Sequence, residues 1–128
     1  MKKIDKTCAT KWNKTNKYNA KPVIIDGIKF DSTKEGQRYM VLKSLLQKGR
    51  IENLVLQPKF VLQKGFRYHT GKPVRAITYT ADFQYEQEGQ TIVEDVKSEI
   101  TKKKADYRIR VRLFMKKYHD SNILFIET

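Results

Sequence analysis

Cysteine occurs once in the 128 residues, at Cys8, so no intramolecular disulfide can form, and no second thiol or neighbouring histidine completes a zinc site of the usual spacing. Histidine is nearly as scarce: His69 and His119 lie far apart in sequence, which leaves a histidine metal centre without a local motif. No apolar run approaches the roughly 20 residues needed to span a bilayer, and the opening MKKIDKTCATKWNKT lacks the apolar stretch of a signal peptide. A cytoplasmic chain in a reducing compartment, with no membrane partner, is the expectation. Acids are the remaining shortage. Fourteen Asp and Glu stand against 27 Lys and Arg, a formal net charge of +13, and such a field favours a polyanionic partner. Hydrophobic residues still make up 39% and fall in short periodic clusters, which argues against wholesale disorder, and the length suits one core.

Residues 1–21 carry Lys2, Lys3, Lys6, Lys11, Lys14, Lys17 and Lys21 against Asp5 alone, without amphipathic period. They read as a basic N-terminal arm ahead of a single domain over residues 22–128. In PVIIDGIKF, the Asp26-Gly27 pair suits the positive φ angles of a type I′ turn, so a small hairpin is expected there. Asp31-Ser32-Thr33 offers helix-capping side chains and Gly49 a stop, with Met40, Leu42, Leu45 and Leu46 between them at helical spacing; a helix over about Thr33 to Lys48 follows. IENLVLQ, KFVLQ and VRAITYTADFQY then read as strands of one antiparallel sheet, interrupted by Pro58 and the loop KGFRYHTGKP. TIVEDVKS adds a strand after a Glu88-Gly89 turn, a basic helix covers about Thr101 to Tyr118, and Ile123 to Ile126 forms a buried last strand. Strand, helix and strand in succession favour a crossover that lays the last strand parallel to Val93–Val96. The expected order is α-β-β-β-β-α-β, an α/β fold with a mixed β-sheet flanked by helices.

If Glu88-Gly89 is a two-residue loop, Asp82 falls opposite Asp95, Gln84 opposite Val93 and Thr80 opposite Lys97. Strand alternation then puts Asp82, Asp95 and Lys97 on one face, and Tyr79, Ala81, Phe83, Tyr85, Ile92 and Val96 on the other. Glu94 is an exception on that apolar face, expected near an edge or a loop. Carboxylates directly across a strand pair have Cβ atoms about 4.5–5.5 Å apart and repel unless something neutralises them. A divalent cation does so: Mg²⁺ takes hard oxygen ligands, commonly one or two carboxylates with substrate phosphate. Two acids, a cation and the Lys97 ammonium suit phosphodiester hydrolysis, where charge builds up on phosphate oxygens. A solvated polar face, with Lys97 offsetting the acids, is the other reading of the same residues.

Ala81-Asp82, Asp95-Val96-Lys97 and Glu35 on the preceding helix together resemble the PD-(D/E)XK nuclease superfamily, and more closely its small phage-encoded members related to Holliday junction resolvases. Ala81 stands where that motif has proline, and Asp95 where glutamate is commoner. The resemblance spans roughly residues 30 to 127. It implies a restriction-endonuclease-like core, Asp82 and Asp95 as ligands of Mg²⁺ or Mn²⁺, the Val96 carbonyl as a further ligand, Lys97 as the catalytic lysine and Glu35 as an additional acid. It also implies DNA as substrate, branched DNA such as four-way junctions included, a homodimer making paired cuts, a host-cytoplasm setting and a role in phage DNA recombination. Glu35 has a second reading, since Ser32-Thr33-Lys34-Glu35 matches a capping box.

Lys104, Arg108, Arg112 and Lys116 recur every four residues and form one inclined basic ridge on a helix, beside an apolar stripe of Tyr107, Val111, Phe114 and Tyr118. With Lys102 and Lys103 they make a candidate nucleic-acid-binding surface. No zinc-finger, RNP or basic-zipper pattern is present, so backbone charge and substrate shape are the expected determinants. A non-catalytic DNA- or RNA-binding module of phage replication or recombination is the alternative function.

Overall fold

A computed structural model of the chain describes residues 21–128, so the basic arm, Lys21 apart, lies outside the described residues. By their contacts the described residues divide into two compact units, one ending at Met40 and the other Val41–Thr128. The division falls within a helix.

In the first unit, β1 (Val23–Ile25) and β2 (Ile28–Phe30) pair antiparallel around Asp26-Gly27, whose φ angles of 55° and 76° are the left-handed pair a type I′ turn needs. Helix α1 (Thr33–Gln47) follows, and Ser32 Oγ accepts the Glu35 N–H at 3.1 Å, which caps its first turn. Gly36 lets the helix approach this hairpin, because a Cβ there would stand 2.7 Å from Val23 Cγ2. Tyr39 packs its ring on Phe30 with centroids 4.9 Å apart and donates its hydroxyl to Asp26 Oδ2 at 3.0 Å, tying helix to turn.

The second unit is mixed α/β. Its sheet runs β10 (Ile123–Glu127), β9 (Gln90–Asp95), β8 (Phe83–Gln87), β3 (Glu52–Leu56), with β10 parallel to β9 and the other pairs antiparallel. The hairpin register is the expected one: Gln84 pairs with Val93 and Phe83 with Glu94, around Glu88 and Gly89 at φ 51° and 80°. The parallel last strand is also as expected.

The single sheet expected for the middle of the chain is instead divided. Strands β4 (Lys59–Gln63) and β7 (Ile77–Thr80) form a ribbon of their own, and the loop between them contains a further hairpin of β5 (Phe66–Arg67) and β6 (Pro73–Val74). VRAITYTADFQY is therefore two strands. The chain changes partners at Ala81-Asp82, where the Ala81 N–H goes to Pro58 O and the Asp82 N–H to Glu94 O. The expected basic helix also breaks, into α2 (Glu99–Lys102) and α3 (Ala105–Tyr118), because Lys104 adopts extended angles as the N-cap of α3.

Helix α3 covers the ribbon and the sheet with its expected apolar stripe. Val111 and Phe114 are buried with Tyr79, Ala81 and Val93, and Phe60, Tyr107, Tyr118 and Phe125 pack around them. Phe114 meets Phe60 edge-on at 4.8 Å and Tyr118 at 4.8 Å, so its truncation to alanine removes about 3–5 kcal/mol.

Candidate active site

Asp82 occupies the point where the chain passes from ribbon to sheet. Its backbone is fixed from both sides, by its N–H to Glu94 O at 3.2 Å and by the Gln57 N–H donated to its carbonyl at 2.9 Å. Gln57, in the turn after β3, reaches that position with φ at 52°. The Asp82 side chain turns along β9 and accepts the Val96 N–H on Oδ2 at 2.7 Å. Asp95 ends β9 and is 0% exposed. Lys97 follows two residues later, and its Nζ stands 3.1 Å from Asp95 Oδ1 and 3.9 Å from Asp82 Oδ2. The fold thus brings together the three residues that the register put on one face. Lys97 Nζ also lies 5.7 Å from the centroid of the Tyr107 ring, a cation–π contact from helix α3.

Each oxygen of Asp95 has a different setting. Oδ2 accepts the Tyr79 hydroxyl in a short hydrogen bond. Oδ1 is buried and accepts no hydrogen bond, so the nearby ammonium satisfies it by charge without hydrogen-bond alignment. Tyr79 was expected across the sheet from Asp95. The partner change at Ala81-Asp82 breaks the alternation and turns Tyr79 and Ala81 to the Asp95 side, where both join the cluster around Val93. Burial, then the Asp95 charge and hydrogen bond, hold the Tyr79 hydroxyl far above the ordinary tyrosine range. Tyr107 is raised too, by burial and then by its short hydrogen bond to Glu127 Oε2.

Glu94 corrects a second expectation. It lies neither at an edge nor in a loop but in the central strand β9, at 0% exposure. It is satisfied there: Oε1 accepts the Tyr85 hydroxyl at 2.8 Å and Oε2 the Thr128 hydroxyl at 3.4 Å.

Asp95 and Lys97 open into a cleft of about 470 Å³, lined also by Thr78, Tyr79, Thr101, Lys104, Tyr107 and Arg110. Asp82 is not among the lining side chains. Arg110 was missed by sequence reading. Its Nε donates to Thr78 O at 3.1 Å, which brings its guanidinium to the cleft from the flank of α3 opposite the Arg108-Arg112-Lys116 ridge, 3.7 Å from Asp106, an acid that also lines the cleft. Those three ridge residues are exposed. Lys104 lines the cleft, whereas Lys103 is the C-cap of α2 and Lys102 pairs with Glu99 at 3.2 Å. Glu35 is buried in the first unit, and its N–H is held by Ser32 Oγ, which is one half of the capping box.

Among the described residues, no group of three His, Cys, Asp or Glu side chains is placed to hold a metal ion. The donor set nevertheless fits a hard cation: two carboxylates beside one ammonium, with a buried carboxylate oxygen lacking a donor. No helix among the described residues is long and apolar enough to cross a membrane. Neither a curated relative nor a solved structure matches the chain. Residues 15–127 match the family model described as "Protein of unknown function (DUF1064)", a span covering most of the sequence, and the chain belongs to that family.

Proposed function

We propose that the chain is a metal-dependent DNA endonuclease with a restriction-endonuclease-like core. The observation that carries this reading is the ammonium of Lys97, 3.1 Å from the unpartnered oxygen of buried Asp95 and 3.9 Å from Asp82, at a cleft that opens to solvent. A carboxylate so buried costs several kcal/mol unless paired. A pair retained at the mouth of a cationic cleft suits chemistry better than stability.

Asp82 and Asp95 are the side chains to hold Mg²⁺ or Mn²⁺, with the Val96 carbonyl added by the resemblance. The bound cation supplies positive charge against the phosphate and lowers the pKa of water near it. Lys97 presents its ammonium to a phosphate oxygen as negative charge grows there. Tyr79 holds Oδ2 of Asp95, and Oδ1, which accepts no hydrogen bond, is the oxygen that would be left to hold a cation. Arg110 and Lys104 receive the phosphate backbone in the cleft, and Arg108, Arg112 and Lys116 add sequence-independent attraction that weakens with salt. Glu35 enters as an additional acid through the resemblance alone, as do branched substrates and a homodimer.

The test is cleavage of labelled four-way junction, flap, duplex and single-stranded DNA with Mg²⁺, Mn²⁺ or EDTA, comparing wild type with Asp82→Ala and Lys97→Ala. Metal-dependent cuts lost in both variants, with binding retained, support the assignment. The lack of a third acidic ligand among the described residues favours one other reading, a DNA- or RNA-binding module without catalysis. Tight binding with no cleavage under any metal selects it.

A further inference from the structure

The loop between β4 and β7 is read from sequence only as an interruption, yet it is built. Phe66 pairs with Val74 and Arg67 with Pro73, and a turn closes the tip, with the Gly71 N–H on Tyr68 O at 2.7 Å and the Tyr68 N–H on Lys72 O at 2.8 Å. Gly71 takes φ 91°, which other residues rarely adopt, and the Arg67 guanidinium crosses the tip to Gly71 O at 2.9 Å. Gly65 at the base packs tightly, since a Cβ there would stand 3.0 Å from the backbone oxygen of Val74. Together these contacts close a short two-stranded hairpin.

Its side chains face water. Phe66 is 48% and Tyr68 52% exposed, and the Tyr68 ring lies 4.1 Å from that of His69. Residues 64–75 contain Lys64, Arg67, Lys72 and Arg75 and no Asp or Glu. Among the described residues none of these four cations is in an ion pair. Exposed flat rings among unpaired cations complement a polyanion that also offers flat apolar faces. Nucleobases on a phosphodiester strand have both features, but a duplex hides its base faces in the stack. A lipid surface fits less well, because Tyr68 and His69 bring polar groups to the tip and Phe66 is the one exposed ring there without a polar atom.

We propose that the β5–β6 hairpin is a binding element for unpaired nucleotides, with Tyr68 and Phe66 stacking on bases and Lys64, Arg67, Lys72 and Arg75 meeting phosphates. From the tip at Gly71 to cleft-lining Thr78 the chain spans at most about 25 Å, so one strand can touch both. Binding here needs no hydrolysis, and the hairpin stands or falls apart from the nuclease reading.

The experiment is fluorescence anisotropy in EDTA, which silences metal-dependent cleavage, with labelled single-stranded DNA, single-stranded RNA and duplex DNA, and co-sedimentation with phosphatidylserine vesicles. Phe66→Ala/Tyr68→Ala is expected to weaken single-strand binding about tenfold or more while leaving duplex binding nearly unchanged. Tyr68→Trp, which keeps a stacking surface, should retain wild-type affinity. The two single-stranded arms tell DNA from RNA as the source of the bases. Equal loss on single strand and duplex, no loss on either, or vesicle binding that alone depends on Phe66 and Tyr68 overturns the proposal. Circular dichroism of each variant establishes that the fold is intact.

Discussion

Glu94 and Asp95 are neighbours on one strand and both are fully buried, yet they point to opposite faces and into opposite circumstances. Glu94 has a hydroxyl on each oxygen, from Tyr85 and Thr128. Asp95 has a hydroxyl on one oxygen and only a lysine ammonium near the other, and it opens into a cleft. The difference teaches that burial of an acid does not by itself mark a site. What distinguishes Asp95 is an oxygen that the fold leaves without a donor, beside a cation within reach of solvent.

The largest expected effect falls on the Asp95 face. Lys97→Ala should lower the rate of phosphodiester cleavage about 100- to 1,000-fold while binding persists, as loss of one charge-stabilising donor does elsewhere. Initial-rate assays beside anisotropy titrations check this. On the other face, Glu94→Ala should cost stability, about 3 kcal/mol, since it removes the acceptor of the Tyr85 hydroxyl and opens a cavity. Urea unfolding measures it. Asp95→Asn should cost about 1–3 kcal/mol, because removing one partner of a buried pair leaves the Lys97 ammonium, itself only partly exposed, without its closest counter-charge.

Tyr79 sharpens the comparison through pH. Its hydroxyl pKa is raised in the folded chain, by burial first and by Asp95 second, above the unfolded value near 10. The stabilisation is therefore complete below about pH 10 and is lost as pH rises beyond it. Unfolding free energies between about pH 8 and pH 11 should fall at the alkaline end, and Tyr79→Phe should flatten that fall while costing about 1–2 kcal/mol at neutral pH. The smallest effect is expected on the ridge of α3. Replacing Arg112 with glutamine should weaken DNA binding modestly, and reduce the slope of log affinity against log salt by about 0.9.

The parts legible in sequence are those set by local chemistry. Asp26-Gly27 and Glu88-Gly89 announce their turns through positive φ, and the second turn fixes the register that brings Asp82, Asp95 and Lys97 together. The apolar stripe of α3 and the parallel last strand follow from periodicity and from strand-helix-strand order. What was not legible depends on partners distant in sequence. TYTADFQY alternates without a break, so nothing local shows that Thr80 ends one ribbon and Phe83 begins another sheet. The same hidden step places Tyr79 on Asp95. Glu94 seemed a misfit on an apolar face, because the Tyr85 and Thr128 hydroxyls that satisfy it come from other strands or beyond. The break at Lys103-Lys104 lacks a proline or glycine to signal it, and Arg110 reaches the cleft only because β7 offers it the Thr78 carbonyl.

The most direct measurement is the rate of metal-dependent DNA cleavage by Asp95→Asn beside Glu94→Gln, each checked for folding and for DNA binding. The account predicts that Asp95→Asn binds but does not cut, and that Glu94→Gln cuts at nearly the wild-type rate. Equal loss in both variants, or cutting that survives Asp95→Asn, would contradict it.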